Sequence, residues 1–494
     1  MNNSENLNIE EALKREDFII HHTKGISMLP FLIEGETPVK LVNRKPEILD
    51  AVLFKRRNGV YVLHRIIDED KKYYYICGDN QTKIEPVKKQ NIIAVMDGYF
   101  KDGKYISHDN PEYVKAVKER CASINTRKII RPMPKHWSVL FEIYSAALTG
   151  RKAVIPKGFK DYDKLYNLAV KHCIAGCCFK ALDKEIIPDE IYKKWKNYAD
   201  GILRKNLLFE AERKAVFALF AEEDIRYIPL KGIIIEDYYP QPQMREYCDN
   251  DILLYPEDID KAVTVMANRG YKIKDACQHH VGCLKEPVYN FELHFSLIDQ
   301  GDSGHEELKT VFDRLVPDKN DSHLFYLSET DFYMHFIAHY KRHFEAGGSG
   351  LRRLGDAYLL KVGNPYFSSD ELKSKLKDAG LLEFDEKIYA LSEKLMLRPE
   401  SVEFEEIEYV ISSGDKGTNV HHIKNDLGKK SKIAYLFSRL FFPIDTLALL
   451  YPNVKKYPFL YPCYSLKRIL GIFSPKKFSR IMNEIRVFIK FRKK

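Results

Sequence analysis

The chain has 494 residues, of which 45% are hydrophobic and 30% charged, a composition typical of a globular protein with about three domains and a net charge of +9. It contains no run of about 18 apolar residues, which excludes a membrane-spanning helix, and its polar, acidic first residues are not typical of a secretory signal. Nine cysteines, an odd number, indicate reduced thiols, so we expect a cytoplasmic protein.

The order of strand-like and helix-like segments predicts an α+β multidomain fold. We expect a small, mostly β domain over 1–110 and a helical, proline-rich linker over 111–157. An α/β core embedded in helices follows over 158–300, and a helical domain with a basic tail occupies 301–494.

Four motifs follow one another in the first segment, where short apolar runs alternate with turn signals such as Asn58-Gly59. They are Gly-Ile-Ser-Met-Leu-Pro (25–30), Ile-Leu-Asp-Ala-Val-Leu-Phe (48–54), Val-Leu-His-Arg-Ile (62–66) and Gly-Asp-Asn (78–80). In this order they resemble the clan of type I signal peptidases and LexA-type self-cleaving repressors, in the branch with a histidine base.

The resemblance implies that Ser27 is a nucleophile, His64 its general base and Asp79 the acid that orients the base. A neutral imidazole can take the proton of a serine hydroxyl near neutral pH, which makes the chemistry coherent. The polar stretch before Ser27 departs from the membrane anchor of signal peptidases. A cytoplasmic peptide substrate, self-cleavage or a binding role therefore stays open, as does a purely structural role for Ser27 and His64.

The second segment contains three carboxylates that are candidate metal ligands. Asp249 and Asp251 stand at the beginning of an aliphatic strand, where residues two apart point to one face, and Glu292 lies with His294 on a later short strand. Mg²⁺ prefers such oxygen ligands, and two such ions can activate an attacking group and neutralise leaving pyrophosphate. We therefore predict a Mg²⁺ site, possible for two ions, at Asp249, Asp251 and Glu292.

The wider pattern resembles the polymerase-β-like nucleotidyltransferases, and in particular an uncharacterised bacterial family, over about residues 158–470. Leu-Lys-Gly (230–232), Arg245, the two aspartates and Glu292 match that family in order. The resemblance implies an NTP donor bound with the help of Lys231, Gly232 and Arg245. Typical polymerase-β-like enzymes have Gly-Ser or Gly-Gly where this chain has Lys231-Gly232, which leaves the identity of the donor open.

A third group of candidates lies further along the chain. His335, His339 and His343 are spaced to share one helix face, which favours packing over a metal or phosphate contact. After a glycine-rich turn, Arg352 or Arg353 is a candidate for a nucleotide phosphate, and Asp356 is a candidate partner for one of these arginines, although a surface ion pair is the alternative.

The end of the chain is strongly basic. Residues 429–494 carry 16 lysines and arginines against two acidic residues, a charge of +14, and 478–494 has the pattern of a basic amphipathic helix. Such a tail suits an anionic membrane surface or RNA, and a solvated or docked helix is the alternative.

These patterns together predict a two-module enzyme. A Mg²⁺-dependent nucleotidyltransferase would move NMP from an NTP to an unknown peptide or small-molecule acceptor, fused to a serine peptidase, in the synthesis of modified peptides or surface polymers. One alternative is a non-catalytic regulatory protein that binds peptide and nucleotide, and another is an RNA-directed nucleotidyltransferase.

Overall fold

The structure is a computed structural model that describes residues 9–56, 58–274, 279–429 and 453–470, with single positions at 434, 437, 441, 442, 444, 447, 451 and 488. The chain forms two compact units, Met1–Pro132 and Met133–Lys494. The first is mostly β and the second is rich in helices, which confirms the predicted α+β multidomain class. Most of the basic tail, including the helix predicted over 478–494, lies outside the described residues.

The first unit contains an eight-stranded antiparallel sheet, and along the chain one helix precedes its strands and another follows them. The strands follow the order β1-β2-β7-β3-β4-β5-β6, and β8 extends β7 as a hairpin. The elements are α1 Ile9–Arg15, β1 Phe18–His22, β2 Pro38–Val42, β3 Ala51–Lys55, β4 Tyr61–Glu69, β5 Tyr73–Cys77, β6 Glu85–Lys88, β7 Ile92–Lys101, β8 Lys104–Ser107 and α2 Pro111–Ala122.

Four of the five residues of β3 are buried, which shows that both faces of this sheet are covered. One hydrophobic cluster includes Leu53 and Leu63, and a second, on the other side, includes Val52 and Ile66. Side chains that alternate across a strand supply both clusters from the same β3–β4 hairpin.

The second unit begins with helices and encloses a five-stranded sheet. Its elements up to the sheet's last strand are α3 Lys135–Thr149, α4 Tyr162–Lys171, α5 Ala175–Phe179, α6 Asp189–Glu222, β9 Tyr227–Pro229, α7 Gly232–Ile235, β10 Asn250–Leu254, α8 Ile259–Asn268, β11 Lys272–Ile273, β12 His280–Lys285 and β13 Tyr289–His294.

The predicted linker over 111–157 is divided between the two units, since α2 lies in the first and α3 in the second.

The sheet of the second unit has the order β11-β12-β13-β10-β9. Only the β10–β13 pair is parallel among the described strands of this sheet, and every residue of β10 is buried. A strand that is buried on both faces reads as a continuous apolar run, which explains Ile252, Leu253 and Leu254 after the polar start of β10.

The described residues that follow β13 form helices and one small antiparallel strand pair. The elements are α9 His305–Leu308, β14 Val316–Pro317, β15 Phe325–Tyr326, α10 Glu329–Gly347, α11 Leu351–Gly363, α12 Asp370–Asp378, α13 Leu382–Leu397, α14 Phe404–Ser413, α15 Asn419–Lys429, α16 Asn453–Lys456 and α17 Tyr461–Leu470.

The largest hydrophobic core joins α3, α10, α11 and α13 to β9 and β10. This core packs the two long helices α10 and α11 against the sheet, and both helices line a cavity that Asp251 of β10 also lines. No helix within the described ranges combines the length and apolar character that crossing a membrane requires.

Candidate active site

Three carboxylates meet where β10 and β13 run side by side. The two strands are parallel, and their register places Asp251 directly opposite Glu292. Asp249 stands one residue before β10 and lines the same cavity as the other two carboxylates. The structure thus brings together the three residues that the sequence predicts as metal ligands.

Lys231 and Gly232 form the turn between β9 and α7, beside these carboxylates. Lys231 has a φ of 48° and a ψ of −113°, a conformation that non-glycine residues rarely adopt and that costs about 1–3 kcal/mol. Its ammonium donates a hydrogen bond to Oδ1 of Asp251 over 2.9 Å. A Cβ at position 232 would lie 2.8 Å from Nη1 of Arg245, so glycine is the residue that leaves this arginine in place.

The three carboxyl groups differ in their affinity for protons. Burial alone would raise the pKa of Asp251, but Lys231 and His294 lower it far below its usual range. Burial and then the charge of Asp251 raise the pKa of Asp249. Burial, Asp251 and Asp249 raise the pKa of Glu292 to about 7. Buried like charges raise one another's pKa, so the raised pKa values of Asp249 and Glu292 indicate repulsion among the three carboxylates. A divalent cation would supply the positive charge that offsets this repulsion.

His294 stands between two of the carboxylates. Its Nε2 lies 2.8 Å from Oδ1 of Asp251 and 3.7 Å from Oε2 of Glu292. Ligand atoms of these three residues all fall within 4.8 Å of one another, the spacing of a possible metal site. Two further histidines, His279 and His280, line the same cavity and were not among the predicted site residues. The signal for them is weak, because two adjacent histidines before a strand form no known motif by themselves.

The cavity in front of this cluster has a volume of about 410 Å³ and a basic wall. The cationic residues that line it are Lys231, Arg245, Arg342, Arg352, Arg353 and Lys416. Arg245 and Arg352 are each neutralised by an aspartate. Arg353 has no carboxylate within 4.0 Å among the described residues, and its Nη1 is buried without a hydrogen-bond partner there. A guanidinium group in a cavity that has a buried nitrogen without a partner is suited to bind a phosphate.

The prediction that Asp356 pairs with Arg352 or Arg353 is wrong. Its carboxylate accepts two hydrogen bonds of 2.9 Å from Arg245, which reaches it from the loop before β10. Arg352 instead donates to Asp415 over 3.1 and 2.9 Å. Asp415 lies in the loop between α14 and α15, and nothing in the sequence around it indicates this contact.

The three histidines of α10 divide into two roles. His335 is buried at 1% exposure, in agreement with the favoured packing role. His339 and His343 line the cavity, and their Nε2 atoms lie 3.0 Å apart. Burial and then the charge of Lys231 lower the pKa of His339 well below its usual range. The helix therefore contributes both packing and two neutral imidazoles to the wall.

In the first unit, the backbone carbonyl of Ser27 and the imidazole of His64 both border Gly78. A Cβ at position 78 would lie 2.7 Å from the carbonyl oxygen of Ser27 and 3.1 Å from Nε2 of His64. The amide of Asn80 donates to the same carbonyl over 2.7 Å and fixes the Ser27 segment beside β5. The motifs at 25–30, 62–66 and 78–80 thus meet around Gly78.

Asp79 makes a different contact from the one that its predicted role requires. Its carboxylate accepts hydrogen bonds of 2.7 and 2.6 Å from Nε and Nη2 of Arg65, and both side chains are 1% exposed. The carboxylate near His64 is that of Glu85, whose Oε1 lies 3.4 Å from Nδ1. Burial lowers the pKa of His64, so the imidazole is neutral near pH 7.

Three comparisons with known proteins bear on this site. No curated protein sequence matches the chain. Among solved structures, the solution structure of the antibiotic-resistance factor ANT(2'')-Ia is similar at 8% sequence identity and a TM-score of 0.26, over 34% of this chain and 89% of that chain. A family match does not extend into the first unit, so the peptidase resemblance stays a prediction. Residues 160–396, which hold the three carboxylates, Lys231 and Arg353, match the family described as an uncharacterised nucleotidyltransferase.

Proposed function

We propose that the second unit transfers a nucleotidyl group from an NTP to an acceptor hydroxyl or amine. The observation that carries the proposal is the convergence of Asp249, Asp251 and Glu292 on a 410 Å³ cavity with a basic wall, inside the segment that matches a nucleotidyltransferase family. Carboxylates on one side and cations on the other suit a substrate that carries both metal ions and phosphates.

The residues present fit a divalent cation. Asp249, Asp251 and Glu292 would hold it through carboxylate oxygens, the ligands that Mg²⁺ prefers. The hydrogen bond of 2.9 Å from the ammonium of Lys231 to Asp251 supports a negative potential at this point. When bound, the ion supplies charge that neutralises the triphosphate and the leaving pyrophosphate.

In the reaction that we propose, an acceptor oxygen or nitrogen forms a bond to the α-phosphorus, and the bond from that phosphorus to the bridging oxygen breaks. The acceptor's proton passes to a carboxylate of the cluster, and pyrophosphate leaves. Lys231 and Arg353 hold the phosphate oxygens as the charge moves. Arg245 and Arg352 keep their places through Asp356 and Asp415 and shape the wall.

The proposal is tested by calorimetric titration of the full chain with ATP, GTP, CTP and UTP, with and without Mg²⁺. We expect Mg²⁺-dependent binding of at least one NTP, and loss of that binding in Asp249→Asn/Asp251→Asn. Asp370→Asn, at a fully exposed carboxylate, is the matched control and should bind like wild type. Absence of NTP binding in wild type, or binding unchanged in the double variant, would refute the proposal.

For the first unit we propose a serine-dependent cleavage of a peptide or acyl bond. The position of the Ser27 segment and of the His64 imidazole beside Gly78 supports it. Oε1 of Glu85, which also pairs with Arg56, lies 3.4 Å from Nδ1 of His64 and offers a carboxylate that would orient the base. A fluorophosphonate probe, which phosphonylates activated serines, should label Ser27 and leave Ser27→Ala and His64→Ala unlabelled. Unlabelled wild type would favour the alternative, a cleft that binds a peptide without cleaving it.

The regulatory alternative makes a different prediction for the whole protein. If both units only bind ligands, and the second binds nucleotide through its basic wall without the carboxylates, Asp249→Asn/Asp251→Asn loses little cellular function. The transferase proposal requires the double variant to be inactive in cells, so complementation of a deletion strain separates the two.

A further inference from the structure

Three histidines form a cluster beside the carboxylates. His280 at the first position of β12 pairs with His294 at the end of β13 in the antiparallel register, and His279 precedes His280. One ligand nitrogen from each of His279, His280 and His294 can be chosen so that all three lie within 4.8 Å of one another. The sheet register therefore sets His280 and His294, and the amide of Phe295 holds His279 beside them through a hydrogen bond of 3.0 Å to its carbonyl oxygen.

The orientation of His279 matches that of a metal ligand. Its Nδ1 lies 2.6 Å from Oδ1 of Asp299, and Oδ2 of Asp299 accepts a hydrogen bond of 2.9 Å from Arg342. A histidine that ligates a metal commonly donates its other ring nitrogen to a carboxylate in this way. Nε2 of His279 is thus left for a ligand.

The other two histidines have unused nitrogens. Within the described residues, Nδ1 of His280 and Nδ1 of His294 are buried and have no hydrogen-bond partner. Buried polar atoms in proteins are nearly always hydrogen-bonded, so an unsatisfied nitrogen on two neighbouring rings calls for a ligand. A metal ion bound to nitrogens of these histidines would replace missing hydrogen-bond partners. Its binding would offset the free-energy cost of burying unpaired polar atoms.

We propose that His279, His280 and His294 bind a transition-metal ion of the Zn²⁺ class, at a site that adjoins the Mg²⁺ site proposed above and takes nitrogen instead of oxygen ligands. Imidazole nitrogens select Zn²⁺ and its neighbours, whereas Mg²⁺ takes oxygen ligands. In a tetrahedral zinc site, ligand nitrogens lie roughly 3.4 Å apart, so ring movements of about 1 Å would complete the site.

Asp251 and Glu292 lie next to this site, because Asp251 contacts His294 and Glu292 lies near both His280 and His294. Oε2 of Glu292 lies 3.9 Å from Nε2 of His280 and 3.7 Å from Nε2 of His294. The inference uses nitrogen donors that nucleotidyl transfer does not require, so it stands or falls independently of the proposed function.

The test uses Co²⁺, whose visible absorption reports nitrogen ligands and low coordination number. The full chain, stripped with a chelator, is titrated with CoCl₂ in excess Mg²⁺, and the absorption gives the affinity. We expect wild type to bind one Co²⁺ that Mg²⁺ does not displace. His279→Gln/His280→Gln should weaken binding more than about 100-fold, and Asp299→Asn about 10–100-fold. His422→Gln, at an exposed histidine of α15, is the control and should bind like wild type.

Co²⁺ affinity unchanged in His279→Gln/His280→Gln, or Co²⁺ displaced by Mg²⁺ in wild type, would overturn the inference. Circular dichroism of each variant shows that the fold is kept. His279→Asn, a smaller change at the histidine that Asp299 orients, provides a second test if the double variant does not fold. Mg²⁺-dependent NTP binding is measured on the same proteins. If neither wild type nor any variant binds NTP, and the Co²⁺ affinities follow the expected pattern, the transferase proposal is refuted and the proposal of the histidine metal site stands.

Discussion

The ion pair between Arg245 and Asp356 ties the loop before β10 to helix α11, and its removal should destabilise the second unit. Arg245 is 5% exposed and Asp356 is 1% exposed. Two hydrogen bonds of 2.9 Å join them, and the hydroxyl of Tyr239 donates a third bond to the carboxylate over 2.8 Å. In Asp356→Asn, a buried guanidinium group loses its counter-charge and one acceptor.

The magnitude follows from these contacts. Removal of one partner of a buried pair costs about 3–5 kcal/mol, because the other charge is left uncompensated. The amide oxygen in Asp356→Asn can still accept from Tyr239, so we expect a loss at the lower end, about 3 kcal/mol. Arg245→Met combined with Asp356→Asn should recover part of the loss, since no buried charge remains.

Urea unfolding followed by tryptophan fluorescence measures this effect in the second unit alone. The chain has two tryptophans, Trp137 and Trp195, and both belong to that unit. Trp137 stacks on Phe404 and Trp195 is 1% exposed, so both report unfolding. Asp370→Asn, at an exposed site, should change stability by less than about 0.5 kcal/mol. A loss below about 1 kcal/mol in Asp356→Asn would refute the reasoning.

Three further predictions concern other parts of the chain. Arg352 offsets the effect of burial and lowers the pKa of Asp415 to about 2, so this pair should contribute about 2 kcal/mol above pH 4 that is lost as the pH falls towards 2. Acid unfolding of wild type and Asp415→Asn should converge at low pH, and parallel curves would contradict the assignment. Gly232→Ala should weaken NTP binding about 10-fold or more, since its Cβ displaces Arg245, whereas Gly201→Ala in α6 meets no atom within 4 Å and should leave binding unchanged. If the basic tail binds RNA through about five or more phosphates, affinity should fall about 100-fold or more between roughly 50 and 200 mM salt, and salt-independent or absent binding would remove the RNA-directed alternative.

Local sequence predicted those parts of the site whose geometry depends on neighbours along the chain. Asp249 and Asp251 line one cavity at the beginning of β10, two residues apart as the sequence predicted. The i, i+4 spacing of His339 and His343 places both on the cavity side of α10. The family match over 160–396 confirms, for that part of the chain, the nucleotidyltransferase resemblance that was based on Leu-Lys-Gly (230–232), Arg245, the two aspartates and Glu292.

Contacts between distant segments could not be predicted in the same way. Arg245 has several aspartates of similar chemistry in the chain, and packing of α11 against the loop before β10 decides that Asp356 is its partner. Likewise Asp79 binds Arg65, which left Glu85 as the carboxylate nearest to His64.

By itself, then, the sequence determined the α+β class, the strands that carry carboxylates and the turn at Lys231-Gly232, because hydrophobic period and turn chemistry are local properties. The tertiary structure alone decided which charges neutralise each other, which arginine remains unpaired in the cavity, and that His279 and His280 lie beside His294. Those outcomes depend on sheet register and helix packing, which bring together residues that are far apart in the chain, such as Arg352 and Asp415.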